Sequence, residues 1–399
     1  MSVTAAQGFR AGSVAAGLAA RGGVDFTIVV NDGPSDAAAA VFTTNRATAH
    51  PIRWSKAAIL DGAARAVVLN AGGANCFTGP EGFTLTHRTA EATAEALSAD
   101  AVALGLHEVS ASDVLVCSTG LIGEPLPSGA VMAAIPLAVG HLDSTDQAGE
   151  LSSQAILTTD SVPKRSVKVV ESDAGSYTIG GMAKGAGMLA PGLATMLVVI
   201  TTDAELSAAA LDRSLRAATR VSFDRLDSDG CMSTNDQVTL MASGASGVSP
   251  EEASFSAALT DVCLSLAMGL LADAEGASHN IAIEVTGAPS EDDAVVVARS
   301  VARNNLFKAA VFGNDPNWGR VLAAIGTAPV DFDPDGVDIS MNGVRVCHQG
   351  APDRPRTEVD LTPRDTHVLI ELNSGRSSAT VWTNDLTHDY VHENSAYSS

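Results

Sequence analysis

Residues 184–206 read KGAGMLAPGLATMLVVITTDAEL, near the middle of the 399-residue chain. A segment rich in glycine and alanine leads into an apolar run at 197–200, which predicts a strand. Pro191 and Gly192 predict a turn just before that run. Thr195 therefore places a hydroxyl at the start of a predicted central strand.

Similar short apolar runs bounded by turn residues lie on both sides of this stretch and predict more strands. With the central one they cover residues 26–30, 64–70, 113–118, 195–201, 237–243 and 281–287. Helical periodicity predicts helices at 204–221, 249–274 and 290–302. We expect acidic residues in the first turn of the first helix. In the second helix Ser249 should be the N-cap and Pro250 the first helical residue. The third helix should open at Ser290.

These strands and helices are mixed without the regular alternation of a doubly wound sheet. The pattern favours an α/β or α+β layered sandwich. Past Asn280 it shortens to strands and a helix and ends in a polar tail, which predicts a smaller C-terminal α/β lobe over 281–399. A chain of this length accommodates both parts.

Charge and cysteine content narrow the class of protein. The chain carries 46 acidic against 24 basic residues, a formal charge of −22, which disfavours nucleic acid and anionic membranes as partners. Its five cysteines are scattered and suit free thiols in a reducing compartment rather than a zinc site. The nine histidines show no metal-ligand spacing. We expect a cytoplasmic enzyme or binding protein without a metal.

Thr195 has two interpretations. Threonine is an ordinary strand residue. It becomes a strong nucleophile when its own α-amine is free to act as base, since the pKa of an α-amine is about 7.7–8.0. A strained turn would let the hydroxyl attack the Ala194 carbonyl and cleave the chain there. The residues alone leave both interpretations open.

Two glycine-containing segments offer further candidates. GGMAKGAG at 180–187 lacks the order G-x-x-x-x-G-K-[ST], so a phosphate-binding loop is not predicted. Lys184 lies within this segment. CSTG at 117–120 ends a predicted strand. Thr119 and the N–H of Gly120 there either supply an oxyanion hole or simply form a turn.

Glu275, in the segment DAEGASHN, follows a predicted helix and precedes a predicted strand. A carboxylate in such a glycine-flanked turn serves acid–base chemistry when burial raises its pKa. The same position equally fits a solvated helix end.

Several such segments occur in an order that resembles a known family. They are NAGGANCFTG, CSTG, TTDSVPK, GGMAKGAGMLAPGLATML followed by ITTDA, STND, EGAS, GNDPNWGR and a tail containing Asn394. The chain resembles the ornithine acetyltransferase (glutamate N-acetyltransferase) family of arginine biosynthesis, from QGFRAGSVAAG near its start to its last residue. The central motif is highly specific, and the ordered set is more so.

The resemblance implies a self-cleaving enzyme with an N-terminal threonine nucleophile. Cleavage between Ala194 and Thr195 would give an α chain, 1–194, and a β chain, 195–399, which in the family commonly assemble as an α2β2 heterotetramer. Residues 195–280 would complete the main sandwich. The implied fold is a layered αββα-type sandwich similar to that of aminopeptidases that cut themselves before a nucleophile.

The resemblance also implies roles for single residues. Thr195 is the nucleophile, and Thr119 and Gly120 stabilise the oxyanion. Substrate contacts fall on Thr158, Lys184, Thr195, Glu275, Asn394 and Ser399. Glu275 is also placed for proton transfer, and Thr159 competes with Thr158 for its role. Lys184 is implied as the cation for a substrate α-carboxylate, and a surface ion pair is its alternative.

The implied reaction is a ping-pong transfer of acetyl from N2-acetyl-L-ornithine to L-glutamate through acetyl-threonine, without metal or cofactor. Use of acetyl-CoA as a second acetyl donor stays open. Two other functions compete: an N-terminal-nucleophile aminopeptidase or amidase, and a non-catalytic binding protein with an uncleaved chain. Three departures from the family pattern bear on substrate preference: His279 in EGASH, Gly73 in NAGGANC and the tail AYSS.

Overall fold

The computed structural model describes residues 1–104, 108–172, 175–188 and 196–396. Its strands are β1 (Phe9–Val14), β2 (Phe26–Asn31), β3 (Ala38–Phe42), β4 (Ala66–Asn70), β5 (Val114–Ser118), β6 (Lys164–Ser172), β7 (Gly175–Lys184), β8 (Leu197–Thr202), β9 (Gln237–Ala242), β10 (Asn280–Ala288), β11 (Asp338–Met341), β12 (Val344–His348), β13 (Ala351–Pro352), β14 (Asp365–Glu371) and β15 (Ser377–Asn384). Its α-helices are α1 (His50–Ala58), α2 (Gly79–Leu104), α3 (Ser128–Gly140), α4 (Asp146–Ala155), α5 (Ala208–Val221), α6 (Glu252–Ala272), α7 (Glu291–Ala302), α8 (Asn305–Phe312), α9 (Trp318–Ile325) and α10 (His388–Ala396).

Two sheets form the larger part of the fold. One has the strand order β1-β2-β4-β5 and the other β3-β9-β8-β7-β6. β4 and β5 are parallel, with Asn70 opposite Ser118, so both strands end at the same edge. In the second sheet Lys184, Leu197 and Gln237 lie in one row across β7, β8 and β9.

These two sheets pack face to face between two layers of helices. Their shared core contains Val67 and Leu115 of the first sheet together with Met182 and Val199 of the second. α2 and α3 cover the outer face of the first sheet, and α5 and α6 cover that of the second. The order helix, sheet, sheet, helix confirms the predicted αββα-type sandwich. β8 is buried at every position because both of its faces are covered.

A third sheet, in the order β13-β12-β11-β14-β10-β15, lies within residues 280–384. Its core, which includes Ile283, Val297, Val321 and Ile370, is separate from those of the sandwich. β10 alternates between buried and half-buried residues along most of its length. This alternation is typical of a sheet that is covered mainly on one face. The C-terminal part is therefore an α/β unit with its own core, as predicted.

α6 is long and apolar enough to cross a membrane by length and composition alone. However, 50% of its apolar stretch is buried inside the protein. Phe255, Leu259 and Leu266 on this helix belong to the core that covers the second sheet. Its apolar character is therefore that of a core helix.

The three predicted helices exist, but two of their predicted beginnings are wrong. α5 begins at Ala208, with Ser207 as its N-cap, and its first turn contains no acidic residue. α6 begins at Glu252, so neither Ser249 nor Pro250 takes the predicted position. The third start is confirmed, since the Ser290 side chain accepts from a backbone N–H of α7.

The two wrong starts have one cause. The loops that precede α5 and α6 lie side by side and bind each other. The N–H of Glu205 donates to the Val248 carbonyl at 2.8 Å. The Ser249 hydroxyl donates to the Glu205 carboxylate at 3.1 Å. These contacts take up the polar groups that we expected to cap or begin the helices.

Candidate active site

A cavity of about 120 Å³ lies where the edges of the two sandwich sheets meet. Residues from distant parts of the chain line it. Six of them are among the predicted site residues: Thr119, Gly120, Thr158, Lys184, Glu275 and Asn394. The fold therefore brings these six residues to one place.

Thr119 and Gly120 form the turn after β5. The Thr119 N–H donates to the Asn70 carbonyl at 3.0 Å, which ties the turn to β4. Gly120 has a φ of +129°, and a Cβ on it would lie 2.6 Å from the Gly72 carbonyl carbon, so only glycine fits. The buried Thr119 hydroxyl accepts from Lys184 Nζ at 3.2 Å. Among the described residues its own hydrogen has no acceptor, which leaves it to donate into the cavity.

Lys184 ends β7, and its side chain is only 2% exposed. Its Nζ also donates to the Thr158 hydroxyl at 2.8 Å and lies 3.8 Å from an Asp160 carboxylate oxygen. Burial lowers the pKa of Lys184, and the Asp160 carboxylate opposes that shift. The ammonium therefore polarises two hydroxyls in the cavity wall, and the interpretation of Lys184 as a surface ion pair is wrong.

Asp160 is a site residue that sequence reasoning missed. Its carboxylate accepts from Lys164 Nζ at 2.5 Å and from the Gly185 N–H at 2.6 Å. Burial alone would raise the pKa of Asp160, but Lys184 and Lys164 outweigh it and hold the pKa below its usual range. Lys164 also binds Asp273 at 2.5 Å. Two lysines and two aspartates thus balance each other's charge beside the cavity.

Glu275 lies in the turn between α6 and β10, where its N–H donates to the Ala186 carbonyl at 2.9 Å. Its Oε2 accepts from the Asn394 side-chain amide at 3.0 Å. A Cβ on Gly187 would lie 2.4 Å from that oxygen, so this glycine leaves room for the carboxylate. Glu275 is therefore a half-buried group held at the cavity, not a solvated helix end.

The cavity also bears on two details of the sequence. Thr158 and Thr159 both line it, and the hydrogen bond from Lys184 favours Thr158 as the polarised hydroxyl. His279 is buried away from it, with Nδ1 2.7 Å from Asp385 and Nε2 2.9 Å from a backbone carbonyl. This departure from the family pattern therefore affects packing and not the wall of the cavity.

Ala194, Thr195 and Ser399 lie outside the described residues, so their predicted roles stay predictions. Met196, which follows Thr195 directly, is described. Its N–H donates to the buried carboxyl of Asp236 at 2.9 Å.

The segment STND, residues 233–236, contacts both the end of β5 and Met196. The Asn235 amide donates to the Ser118 carbonyl at 2.9 Å and to the Ala74 carbonyl at 2.6 Å. It therefore fixes the peptide just before Thr119. In the sequence STND is only one of the ordered motifs, and no role is predicted for Asn235 or Asp236, because their partners lie far away in the chain.

A profile of the ArgJ family matches residues 10–399. The chain belongs to the ArgJ family. The arginine biosynthesis bifunctional protein ArgJ of Streptomyces avermitilis is 55% identical over 399 residues, which is 100% of both chains. That of Thermobifida fusca is also 55% identical over 399 residues, again 100% of both. Among solved structures, ornithine acetyltransferase from Mycobacterium tuberculosis complexed with ornithine is 45% identical, and the match covers 49% of this chain and 96% of that one with a TM-score of 0.45.

As an ArgJ-family member, the chain is an acyltransferase of arginine biosynthesis that acts on small molecules. The family, the fold class and the class of reaction that the ordered motifs predicted are thereby confirmed. The cleavage site, the roles of individual residues and the assembly stay predictions.

Proposed function

We propose that this ArgJ-family chain transfers acetyl from N2-acetyl-L-ornithine to L-glutamate through an ester on Thr195. One observation carries the proposal: six predicted residues of separate motifs line a single cavity. Asn235 in its wall is followed by Asp236, which binds the N–H of the residue after Thr195. A nucleophile at 195 would therefore act next to a prepared set of donors and charges.

In the first half-reaction the Thr195 Oγ attacks the acetyl carbonyl and its proton passes to the Thr195 α-amine. The Thr119 hydroxyl and the Gly120 N–H donate to the oxygen on which negative charge develops. The C–N bond then breaks, and the α-ammonium returns the proton to the departing ornithine nitrogen. Acetyl-threonine remains.

In the second half-reaction the amine of glutamate attacks the ester. The new C–N bond forms, the C–Oγ bond breaks, and the proton lost by the amine restores the Thr195 hydroxyl by way of the α-amine. N-acetyl-L-glutamate leaves, so acetyl is exchanged between two amines with no net change in protonation.

Charge around the cavity accounts for the binding of both amino acids. Each has an α-carboxylate, and the buried Lys184 supplies a positive potential that water screens poorly. Glu275 supplies a carboxylate that binds an ammonium group or accepts its proton. Thr158, Asn394 and Ser399 complete the proposed substrate contacts.

The nucleophile requires a free α-amine, which implies cleavage between Ala194 and Thr195. The Thr195 hydroxyl attacks the Ala194 carbonyl, the peptide nitrogen leaves as the amine, and water hydrolyses the resulting ester. Chains 1–194 and 195–399 result, with the second completing the sandwich through 195–280.

Thr195→Ala tests this proposal, with Thr201→Ala as its control. Thr201 lies on β8, and its hydroxyl faces the Val3 carbonyl at 2.8 Å and the Gly180 carbonyl at 3.4 Å. We expect Thr195→Ala to remain one chain on a denaturing gel and to make no acetylglutamate, whereas Thr201→Ala cleaves and transfers. Cleavage of Thr195→Ala would exclude Thr195 as the nucleophile, and release of acetate instead of acetylglutamate by the wild type would indicate an amidase.

We also propose an α2β2 assembly in the cytoplasm. Support for a reducing compartment comes from the cysteines, of which Cys76, Cys117, Cys263 and Cys347 are buried and free. Light scattering of the cleaved protein tests the assembly. An assay with acetyl-CoA and glutamate alone decides whether acetyl-CoA is a second donor.

A further inference from the structure

Asp236 is a fully buried carboxyl group that the mechanism above does not use. It directly precedes β9 and is 0% exposed. Its Oδ1 accepts from the Met196 N–H at 2.9 Å. Its Oδ2 is also buried and, among the described residues, accepts no well-formed hydrogen bond. The Ser233 hydroxyl lies near enough to the carboxyl to favour a lower pKa, but a carboxylate oxygen has more than one lone pair. Leaving such a buried oxygen without a well-placed donor costs about 1–3 kcal/mol or more, so a further donor is expected close by.

The charges around Asp236 do not by themselves favour its ionised form. Burial raises the pKa of Asp236 well above its usual range. The hydrogen bonds from the Met196 N–H and the Ser233 hydroxyl oppose this shift, Lys184 opposes it less, and Asp224 adds to it. A second positive charge next to Oδ2 would stabilise the carboxylate.

Covalent geometry places one group within reach. The nitrogen of residue 195 is three bonds from the Met196 nitrogen, and so lies within about 4 Å of it. Asp236 already binds the Met196 nitrogen. In the uncleaved chain the nitrogen of residue 195 is an amide, and cleavage before Thr195 converts it into an amine that donates hydrogen bonds and accepts a proton.

We propose that Asp236 is the positioning residue for the Thr195 α-amine. Its Oδ2 accepts a hydrogen bond from that amine, which turns the nitrogen lone pair toward the Thr195 hydroxyl. This inference rests on the proposed function, because it requires Thr195 to be the cleaved N-terminal nucleophile.

The proposal assigns each proton. When Oγ attacks the acetyl carbonyl, its proton moves to the α-amine, and the carboxylate of Asp236 stabilises the resulting ammonium without taking the proton. When the C–N bond of the substrate breaks, the ammonium gives the proton to the leaving nitrogen. The arrangement is that of a base oriented by a buried carboxylate, with an α-amine in the place of a histidine.

The neighbouring residue strengthens the assignment. Asn235 holds the Ser118 carbonyl at the turn that carries the proposed oxyanion donors, while Asp236 holds the Met196 N–H beside the proposed nucleophile. Two consecutive side chains therefore tie the peptide before Thr119 to Met196, the residue that follows the proposed nucleophile.

Asp236→Asn tests the proposal, because asparagine keeps an acceptor for Met196 but loses the negative charge. Asp203→Asn is the matched control. Asp203 follows the opposite end of β8, is 1% exposed, and accepts from the backbone N–H groups of Gln7 and Thr178 at 3.0 and 2.7 Å. Cleavage on a denaturing gel, the melting temperature, and kcat and KM per cleaved site across a pH series are measured for both variants.

We expect Asp236→Asn to lower kcat per cleaved site by about 10²-fold, the scale of general acid–base catalysis, with little change in KM. A carboxylate raises the pKa of a neighbouring amine, so its removal should move the acidic limb of kcat/KM to lower pH by about one unit. Asp203→Asn should change neither quantity. If Asp236→Asn cleaves more slowly at an unchanged melting temperature, Asp236 also positions the nitrogen of residue 195 before cleavage, when that nitrogen is still an amide.

An unmoved acidic limb and a kcat like that of Asp203→Asn would overturn the assignment. If Asp236→Asn does not fold, Asp236→Glu is measured instead, because it keeps the carboxylate. The acidic limb of its kcat/KM profile should stay at the wild-type pH, and a shift of about one pH unit would overturn the assignment. The Thr195→Ala experiment distinguishes a failure of the proposed function from a failure of the role assigned to Asp236. Cleavage of that variant would overturn the proposed function itself, whereas an unmoved limb in Asp236→Asn overturns only the role of Asp236.

Discussion

Lys184 in the sandwich and Lys308 in the C-terminal lobe are both buried lysines, but they bind different groups. Burial lowers the pKa of both. Lys308, on α8, donates to the backbone carbonyl of Ser228 and so fastens the lobe to the loop before β9. Its Nζ also lies 3.5 Å from the Thr383 hydroxyl, but that hydroxyl directs its own proton to backbone carbonyls. Lys184 donates to the side-chain hydroxyls of Thr119 and Thr158, and all three residues line the cavity.

The difference separates a structural role from a functional one. A carbonyl that binds a lysine has no proton of its own to donate. A hydroxyl that accepts from a lysine keeps its proton and becomes a better donor toward a substrate. The buried Lys308 therefore attaches the C-terminal lobe to the sandwich, whereas the buried Lys184 makes hydroxyls in the cavity better hydrogen-bond donors for an acyl transfer.

The strongest test of this comparison is the pair Lys184→Met and Lys308→Met. Each removes a buried cation and leaves acidic neighbours without it, so each should destabilise the fold by about 3–5 kcal/mol. In protein that remains folded, we expect Lys184→Met to lower kcat/KM by about 10³-fold or more, because an oxyanion donor and the charge that attracts the substrate carboxylate are both affected. Lys308→Met should keep kcat/KM, and equal losses of activity per folded molecule would contradict the comparison.

Thr119→Ala isolates the hydroxyl from the charge. We expect kcat to fall by about 10²–10³-fold with little change in KM, the usual loss for one oxyanion donor. Thr89→Ala is the control, since that buried hydroxyl only donates to the Leu85 carbonyl within α2. Steady-state kinetics decide, and unchanged turnover in Thr119→Ala would remove this residue from the site.

Glu275→Gln keeps the size of the side chain and removes its charge and proton acceptor. We expect acetyl transfer to fall by about 10²-fold, while cleavage of the chain survives because it involves no external amine. Glu284→Gln, on β10 in the other region, should leave transfer unchanged, since Glu284 pairs at the surface with His367 at 2.9 Å. Near-normal transfer by Glu275→Gln at saturating substrate would exclude a role in proton transfer.

The smallest effect on activity is expected in the core of the C-terminal lobe. Ile283→Val removes one methyl group from a 0% exposed side chain and should cost about 0.5–1.5 kcal/mol of stability. Chemical denaturation measures this loss, and kcat/KM at a permissive temperature should not change. A large drop in kcat/KM would show that the lobe shapes the cavity more directly than its separate core indicates.

Prediction from the sequence succeeded where the signal is local. The predicted strands at 26–30 and 237–243 closely match β2 and β9, because short segments rich in apolar residues and bounded by turn residues are visible in the sequence itself. The starts of α5 and α6 were wrong because Glu205 and Ser249 bind each other across two loops. The motifs predicted six residues that line the cavity, whereas Asp160 and Asp236 went unassigned, since their roles depend on Lys184 and Met196.

By itself, the sequence determined the layered fold, the family and the residue types available for acyl transfer, because apolar periodicity and ordered motifs are properties of the chain. Only the tertiary structure decided which polar groups meet. Parallel β4 and β5 end beside the row formed by β7, β8 and β9, and this edge places Thr119 against Lys184. Burial at that edge removes water, so the same lysine that would be a solvated charge on a surface becomes a group that polarises a hydroxyl.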